Sequence, residues 1–499
     1  MDLKWWVLIA VGFGTYMATL DFNIVSVALP TLSDEFHRSP DTVLWAMLAS
    51  NLVITGLTLT AGRAGDLFGR KRLYLAGWII FTIGLCFVGT AQNIDQLIAY
   101  RFFQGAGVAL AIANGNAIVT DVFPDSERGR ALGTIGAIVG AGLMCGPIFG
   151  GVILSFLSWR WIFWLRVPIG FVAFAAAWRL IPDEQRKPAG QKLDVPGAIA
   201  LFIGLSGTLI AVNRGGSWGW ASPAVLGLFA LSAAAIVAFL RVEANSSSPI
   251  VALPLFKVPT FSAPVLALLL TFVGQAAAIF LMPFYLEDIK GYSTASTGLV
   301  ISVVPFAMIL LSSASGYAAD RWNFRFQTTV GTLIVMAGLF SLATLRMDSP
   351  LWAVTLRLAI IGIGTSIFMA PNTSTLMGSV DRTMLGTASA ASATSRNIGN
   401  AVGLAMSGAI LVGVGSAAAG IAGIDPADLP PAAMLDGIRV AFLAAGVGAV
   451  LATIVTLFAG TLQPEPVRIT PVPATGTPLI AGGANGDGEG PAFRSKSQR

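Results

Sequence analysis

The stretch Tyr16-Met-Ala-Thr-Leu-Asp-Phe-Asn-Ile-Val-Ser-Val-Ala-Leu-Pro30 decides how this chain is read. It closes an apolar run that starts after Lys4 and in which Asp21 is the one side chain charged at neutral pH. A run of about 20 apolar residues is long enough to cross a bilayer. A carboxylate inside such a run is costly and marks a functional position by default. The run is too long for the core of a cleavable leader and lacks a small-x-small cleavage site.

The rest of the chain is of the same kind. Of 499 residues, 55% are hydrophobic and 11% charged, against about 25% charged in soluble domains. So few charges cannot cover a water-facing surface, so much of this surface faces lipid. Apolar segments recur near 5–29, 42–63, 73–92, 97–120, 131–156, 161–181, 195–213, 221–241, 260–285, 295–318, 327–345, 351–373, 385–413 and 438–462, numbered here as spans 1 to 14. Even-numbered gaps carry Arg70, Lys71 and Arg72; Arg128 and Arg130; Arg186, Lys187 and Lys192; Lys257; Arg321 and Arg325; and Arg382. Odd gaps hold single basic residues (Arg38, Arg160, Arg214, Lys290, Arg346) or, at 415–437, none. Basic loops stay inside, which puts the even gaps and both termini in the cytoplasm. Residues 463–499 are rich in Pro, Gly and Thr, lack apolar periodicity and read as a disordered cytoplasmic tail.

The chain also repeats itself. Gly62-Arg-Ala-Gly-Asp66 ends span 2 and Gly316-Tyr-Ala-Ala-Asp320 ends span 10; Gly69 and Asn323 follow three residues later. Arg101 opens span 4 as Arg-x3-Gly-x-Gly, and Arg357 opens span 12 as Arg-x4-Gly-x-Gly. The two pairs lie 254 and 256 residues apart. Residues 1–181 and 260–462 therefore read as two six-span bundles, with a linker, 182–259, carrying spans 7 and 8. Internal repeats of this kind are a recurring transporter plan.

With Leu20–Pro30, Gly62–Arg72, Arg101–Gly107, Gly142–Gly151, Trp159–Gly170 and Leu193–Gly197 in order on these spans, the chain resembles the major facilitator superfamily, and within it the fourteen-span drug:proton antiporters. The resemblance covers residues 5–462. It implies an all-α integral membrane protein of the cell membrane that exports lipophilic or amphipathic compounds in exchange for protons by alternating access. It implies no cofactor; the partners are a small-molecule substrate, protons and the bilayer. A monomer is expected, with no nucleic-acid partner, and an envelope-spanning adaptor of the kind some homologues use is not indicated by any residue here. A symporter or facilitator of the same fold for one metabolite is the alternative.

Physical chemistry gives the motifs their roles. Gly142, Gly146 and Gly150 share one face of span 5, with Gly151 beside them, so a neighbouring helix can approach closely. Pro147 removes the bond to the Leu143 carbonyl and permits a bend. By resemblance this is the motif that separates exporters from importers. Asp66 sits where it can face the positive end of another helix. The resemblance places that helix start near Thr383–Gly386 and groups Asp66, Arg70 and Asp121, with Gly62 and Gly69, as a latch formed when the inner sides of the bundles meet. The repeat extends the latch to Asp320, Arg321 and Arg325, with Asp320 expected to cap span 5 near Arg130.

Within the spans, Asp21 lies about 12 Å below the outer boundary and Arg101 about 6 Å, at 1.5 Å per residue. A long guanidinium bridges that difference, and pairing offsets the cost of both charges. A carboxylate beside an arginine that alternates between wet and dry surroundings can take up and release a proton. In the resembled family this pair couples proton and drug. Arg166 stands where relatives usually carry Asn; it either snorkels outward or lines the cavity and favours anionic or zwitterionic substrates. Asn23, Gln104, Asn114, Arg357, Asn372 and Arg396 complete the candidate cavity residues. Trp5, Trp6, Trp45, Trp159, Trp161, Trp218 and Trp220 lie at span ends as interfacial anchors. His37 reads as a loop residue. Cys86 and Cys145, both in apolar runs, indicate neither a disulfide nor a metal site. No nucleophile–base pair or phosphate-binding loop appears, which argues against an enzyme.

Overall fold

A computed structural model describes residues 2–38, 40–183, 193–246, 249–251, 253–321, 324–420 and 429–459. The tail beyond residue 459, the basic residues Arg186, Lys187 and Lys192, and Asn323 lie outside the described residues. Among those described there are fourteen helices long and apolar enough to cross a membrane. They are Leu3–Phe36, Trp45–Phe68, Arg70–Gly89, Ile94–Val122, Asp125–Phe156, Trp161–Leu180, Val195–Gly215, Pro223–Asn245, Pro259–Ile289, Ser296–Ala319, Arg325–Leu342, Leu351–Gly378, Arg382–Ala419 and Pro431–Phe458, which are spans 1 to 14. The architecture is all-helical because a chain in hydrocarbon must satisfy its backbone polar groups internally, and helices do so.

Sequence features set the ends. Asn93 caps span 4 by accepting from the Gln96 N–H at 2.9 Å. Asp194 caps span 7 through Gly197 N–H at 2.9 Å, and Ser222 caps span 8 just ahead of Pro223. Gly69 joins spans 2 and 3 at φ 105°, a backbone angle that a side chain would resist. Two spans are interrupted within the membrane. Span 6 breaks between Trp164 and Arg166, and span 10 breaks between Ile301 and Val303. In both, a proline four residues on, Pro168 or Pro305, withholds the N–H that the last carbonyl before the break would accept. Span 5, by contrast, runs unbroken through Pro147.

Span 1 extends to Phe36, seven residues beyond the apolar run read from sequence, and His37 closes it at φ 48°. Asp21 is therefore deeper than that reading placed it, and so is Arg101, because span 4 begins at Ile94. Trp159 is not an interfacial anchor: it is buried edge-on to Phe36 and Phe163. Its ring serves the core of the first bundle.

Each bundle has its own apolar core. One is built around Tyr74, Trp78, Phe81, Phe123 and Phe163, the other around Tyr285, Leu339, Leu358 and Phe442. A third cluster joins the bundles, packing Ala117 and Leu132 against Leu376, Met377, Leu385 and Ala388. Leu255, from the linker after span 8, is fully buried in that same cluster. Spans 7 and 8 pack on each other, where Gly204 and Gly207 admit Ile236 and Ser232. Span 7 then lies against span 2, with Phe202 and Ser206 seated over Gly56.

Candidate functional site

The buried charges of the first bundle meet at Asp21. Its Oδ2 accepts from Arg101 Nη1 at 2.7 Å, and its Oδ1 accepts from Arg166 Nη1 at 2.5 Å. Gln104 Nε2 donates to the same Oδ1 at 3.0 Å, and its Oε1 accepts from Arg101 at 2.7 Å. Arg101 Nε also donates to the Ala46 carbonyl at 2.8 Å, which ties span 4 to the start of span 2. Asp21, Arg101, Gln104 and Arg166 are all buried. Removing one partner from such a buried set typically costs about 3–5 kcal/mol, because the other charge is left uncompensated.

Arg166 turns inward and does not snorkel. The Ile162 carbonyl, one turn back, accepts from Arg166 Nε at 2.8 Å, and the Phe163 ring centre lies 5.3 Å from its guanidinium carbon. Its Nη2 is buried without a hydrogen-bond acceptor. Two guanidinium groups thus share one carboxylate, and the cluster carries a formal excess of one positive charge.

At the inner ends, two carboxylates cross from bundle to bundle. Asp66 of span 2 accepts from the backbone N–H of Gly386 and of Thr387, each at 2.8 Å, and from the Thr387 hydroxyl at 3.0 Å. Arg70 holds the same carboxylate at 2.8 Å, reaches the Arg382 carbonyl, and lies 3.7 Å from Asp121. In the repeat position, Asp320 accepts from Gly129 N–H at 2.6 Å and Arg130 N–H at 2.8 Å. Both carboxylates sit on helix starts, where free N–H groups and the helix dipole favour negative charge. Burial pushes the Asp320 carboxyl above its usual range, against the two backbone donors. Close backbone approach makes these contacts feasible: Gly62 lies on Gly386, and Gly316 lies on Gly129 and Gly133.

Span 5 uses its glycines on two partners. Gly129, Gly133 and Gly140 face span 10, whereas Gly142, Gly146 and Gly150 face Tyr16, Thr19, Asn23 and Ile24 of span 1. A Cβ on Gly146 would stand 2.6 Å from that of Asn23. Gly151 is the departure, with nothing within 4 Å of where its Cβ would be.

The remaining candidates divide by place. Asn114 and Asn372 are buried helix fasteners, donating to the Ala61 carbonyl at 3.3 Å and the Pro264 carbonyl at 3.1 Å. Asn23 donates along its own helix to Thr19. Arg396 is half-buried beside the Phe272 ring, and Arg357 is half-buried with its Nη1 lacking an acceptor. Arg321 lies over the Tyr317 ring, and Arg325 donates to the Leu457 carbonyl of span 14, so these contacts do not place either on span 5. Sequence reading missed Thr387 and Arg382 as latch partners. It also missed Glu243, which is buried at the inner end of span 8 and accepts from the Val251 N–H. The signal for Glu243 was available: an acid closing an apolar run.

Two helix bundles, a buried ion cluster inside one of them, and carboxylate-capped closure at their inner ends define a multi-pass membrane transport protein. The chain belongs to the Major Facilitator Superfamily, whose sequence profile matches residues 11–404. A riboflavin transporter of Clostridioides difficile is 34% identical over 81% of this chain and 88% of its own length. A multidrug transporter of Bacillus subtilis is 30% identical over 79% of this chain and 73% of its own. A tetracenomycin C resistance and export protein of Streptomyces glaucescens is 26% identical over 82% and 76%. Among solved structures, a human organic anion transporter superposes with TM-score 0.69 at 13% identity, covering 91% of this chain and all of that one. A proton:xylose symporter superposes at 0.62 with 14% identity, covering 90% and 94%. At those identities the structures share the fold.

Proposed function

We propose that this protein is a secondary active transporter that exports lipophilic or amphipathic compounds in exchange for protons. The observation that carries this reading is Asp21, a carboxylate buried in span 1 and held by two arginines. Protonation cancels its charge and weakens both ion pairs, so proton occupancy changes the packing of spans 1, 4 and 6 together. With the inner ends capped by Asp66 and Asp320, the described conformation corresponds to closure toward the cytoplasm. Alternation then requires both caps to release while the outer side closes. Relatives named for multidrug transport and for tetracenomycin C export support the substrate class.

The test is purified protein in liposomes under an imposed pH gradient, with a panel of lipophilic dyes. Gradient-driven dye movement that a proton uncoupler abolishes is the expected result. Transport indifferent to the gradient refutes the coupling. A second reading, symport or facilitated movement of a single metabolite, draws on Arg166 and on the relative named for riboflavin. Counterflow in the absence of a gradient separates the two.

A further inference from the structure

We propose that Arg166 makes the Asp21 cluster a receptor for the oxyanion of an amphipathic substrate, a carboxylate or sulfonate, which binds together with a proton. The inference rests on the second reading above, proton symport, and names a substrate class for the same cluster.

The geometry supplies the reason. A guanidinium offers its donors in a fixed planar fork suited to a carboxylate. Arg166 spends Nε on the Ile162 carbonyl and Nη1 on Asp21, and Nη2 has no acceptor although it is buried. Buried charges are normally paired one to one, and here one carboxylate serves two guanidinium groups. The charged groups facing Asp21 are Arg101 from span 4 and Arg166 from span 6. Span 2 contributes the Ala46 carbonyl to Arg101. Tyr16 and Cys145 lie between spans 1 and 5, and Glu35 with Arg160 lies at the outer end.

The exchange follows from this arrangement. A proton from water adds to Asp21, which releases Arg166 Nη1. The freed fork, Nη1 and Nη2, then takes both oxygens of the incoming anion. The cluster gains one proton and one anion, so its net charge is unchanged, and Arg101 keeps the Ala46 carbonyl and Gln104. The sign of coupling therefore depends on substrate charge. An oxyanion favours proton uptake and travels with the proton, whereas a cation competes with it.

The experiment uses the purified full chain in detergent and a matched trio of probes: 2-naphthoate, neutral 2-naphthamide and cationic 2-naphthylmethylammonium. Calorimetry in buffers of different ionisation enthalpy counts protons taken up on binding. The naphthoate should bind at least tenfold more tightly than the amide, with close to one proton taken up per molecule. Arg166→Gln should remove the preference, Arg166→Lys should keep part of it, and Asp21→Asn should bind naphthoate without proton uptake. Equal affinity across the trio in the native protein, or naphthoate binding without proton uptake, overturns the proposal even if every variant misfolds. Gradient-driven export of a cationic dye without any oxyanion preference would leave the export reading standing and sink this one. Proton-linked naphthoate binding without gradient-driven transport would do the reverse.

Discussion

Replacing Asp66 with Asn tests whether the inner caps set the conformational balance. Three hydrogen bonds cross from Asp66 to the other bundle: two from backbone N–H groups and one from the Thr387 hydroxyl. The bonds from Arg70 to Asp66 stay within the first bundle and persist in either state, while the bond from Arg70 to the Arg382 carbonyl also crosses and is left in place by this substitution. Asn keeps one acceptor oxygen and presents an amide N–H where the second oxygen met two donors. Bonds to a charged group contribute about 1.5–3 kcal/mol each, so losing two, with water compensating part of the loss, gives a shift of about 3 kcal/mol. That is roughly a hundredfold change in the ratio of inner-closed to inner-open protein. Spin labels at Phe68→Cys and Arg321→Cys, both exposed at inner span ends, report the separation by pulsed electron resonance, in a background lacking Cys86 and Cys145. A new, longer distance population is expected for Asp66→Asn. A distance distribution identical to that of the labelled parent would show that the caps do not govern the state and would refute the reasoning.

Other outcomes follow from the same contacts. Asp21→Asn should abolish gradient-driven transport while membrane insertion and monodispersity persist; parental rates in liposomes would remove Asp21 from the coupling step. Gly146→Val should lose most transport, because its Cβ position lies against Asn23, whereas Gly151→Ala, with open space around it, should transport at the parental rate. Glu243→Ala leaves the Val251 N–H without its acceptor. A loss of about 1–3 kcal/mol is expected, read as a lowered Tm of the purified protein. An unchanged Tm would make that bond dispensable.

The fourteen spans were legible because apolar length and basic gaps are properties of composition, which survives without any knowledge of rotation. The Asp66 and Asp320 caps were legible for a different reason: the family resemblance pointed Asp66 to the start of span 13, and the repeat carried the same expectation to Asp320. Arg166 was not legible. Its depth could be counted from the sequence, but its direction depends on the partners that the fold brings to it, the Asp21 carboxylate and the Ile162 carbonyl. Trp159 failed in the same way, since a position at a span end does not say which side of the helix faces lipid. Asn114 and Asn372 looked like cavity polar groups because sequence cannot show which backbone carbonyls lie opposite them. Leu255 lay in a loop by composition, and its burial between the bundles depends on a path across the protein that no local pattern records.

The divided allegiance of span 5 has a mechanical consequence. Its outer part bears on span 1 around Gly142–Gly150, and its inner end bears on span 10 at Gly129. The helix is therefore a lever whose fulcrum contains Pro147 and whose working end is the Asp320 cap. From Gly146 to Gly129 the arm is about 25 Å long at 1.5 Å per residue, so a tilt of about 10° moves the working end by about 4 Å. That travel exceeds the length of either bond to Asp320, at 2.6 and 2.8 Å. Glycine surfaces carry no interlocking side chains to resist the swing. Ala131 and Ile135 of the same arm are packed in the core of the first bundle, so the swing that parts the second cap carries the inner end of that core with it.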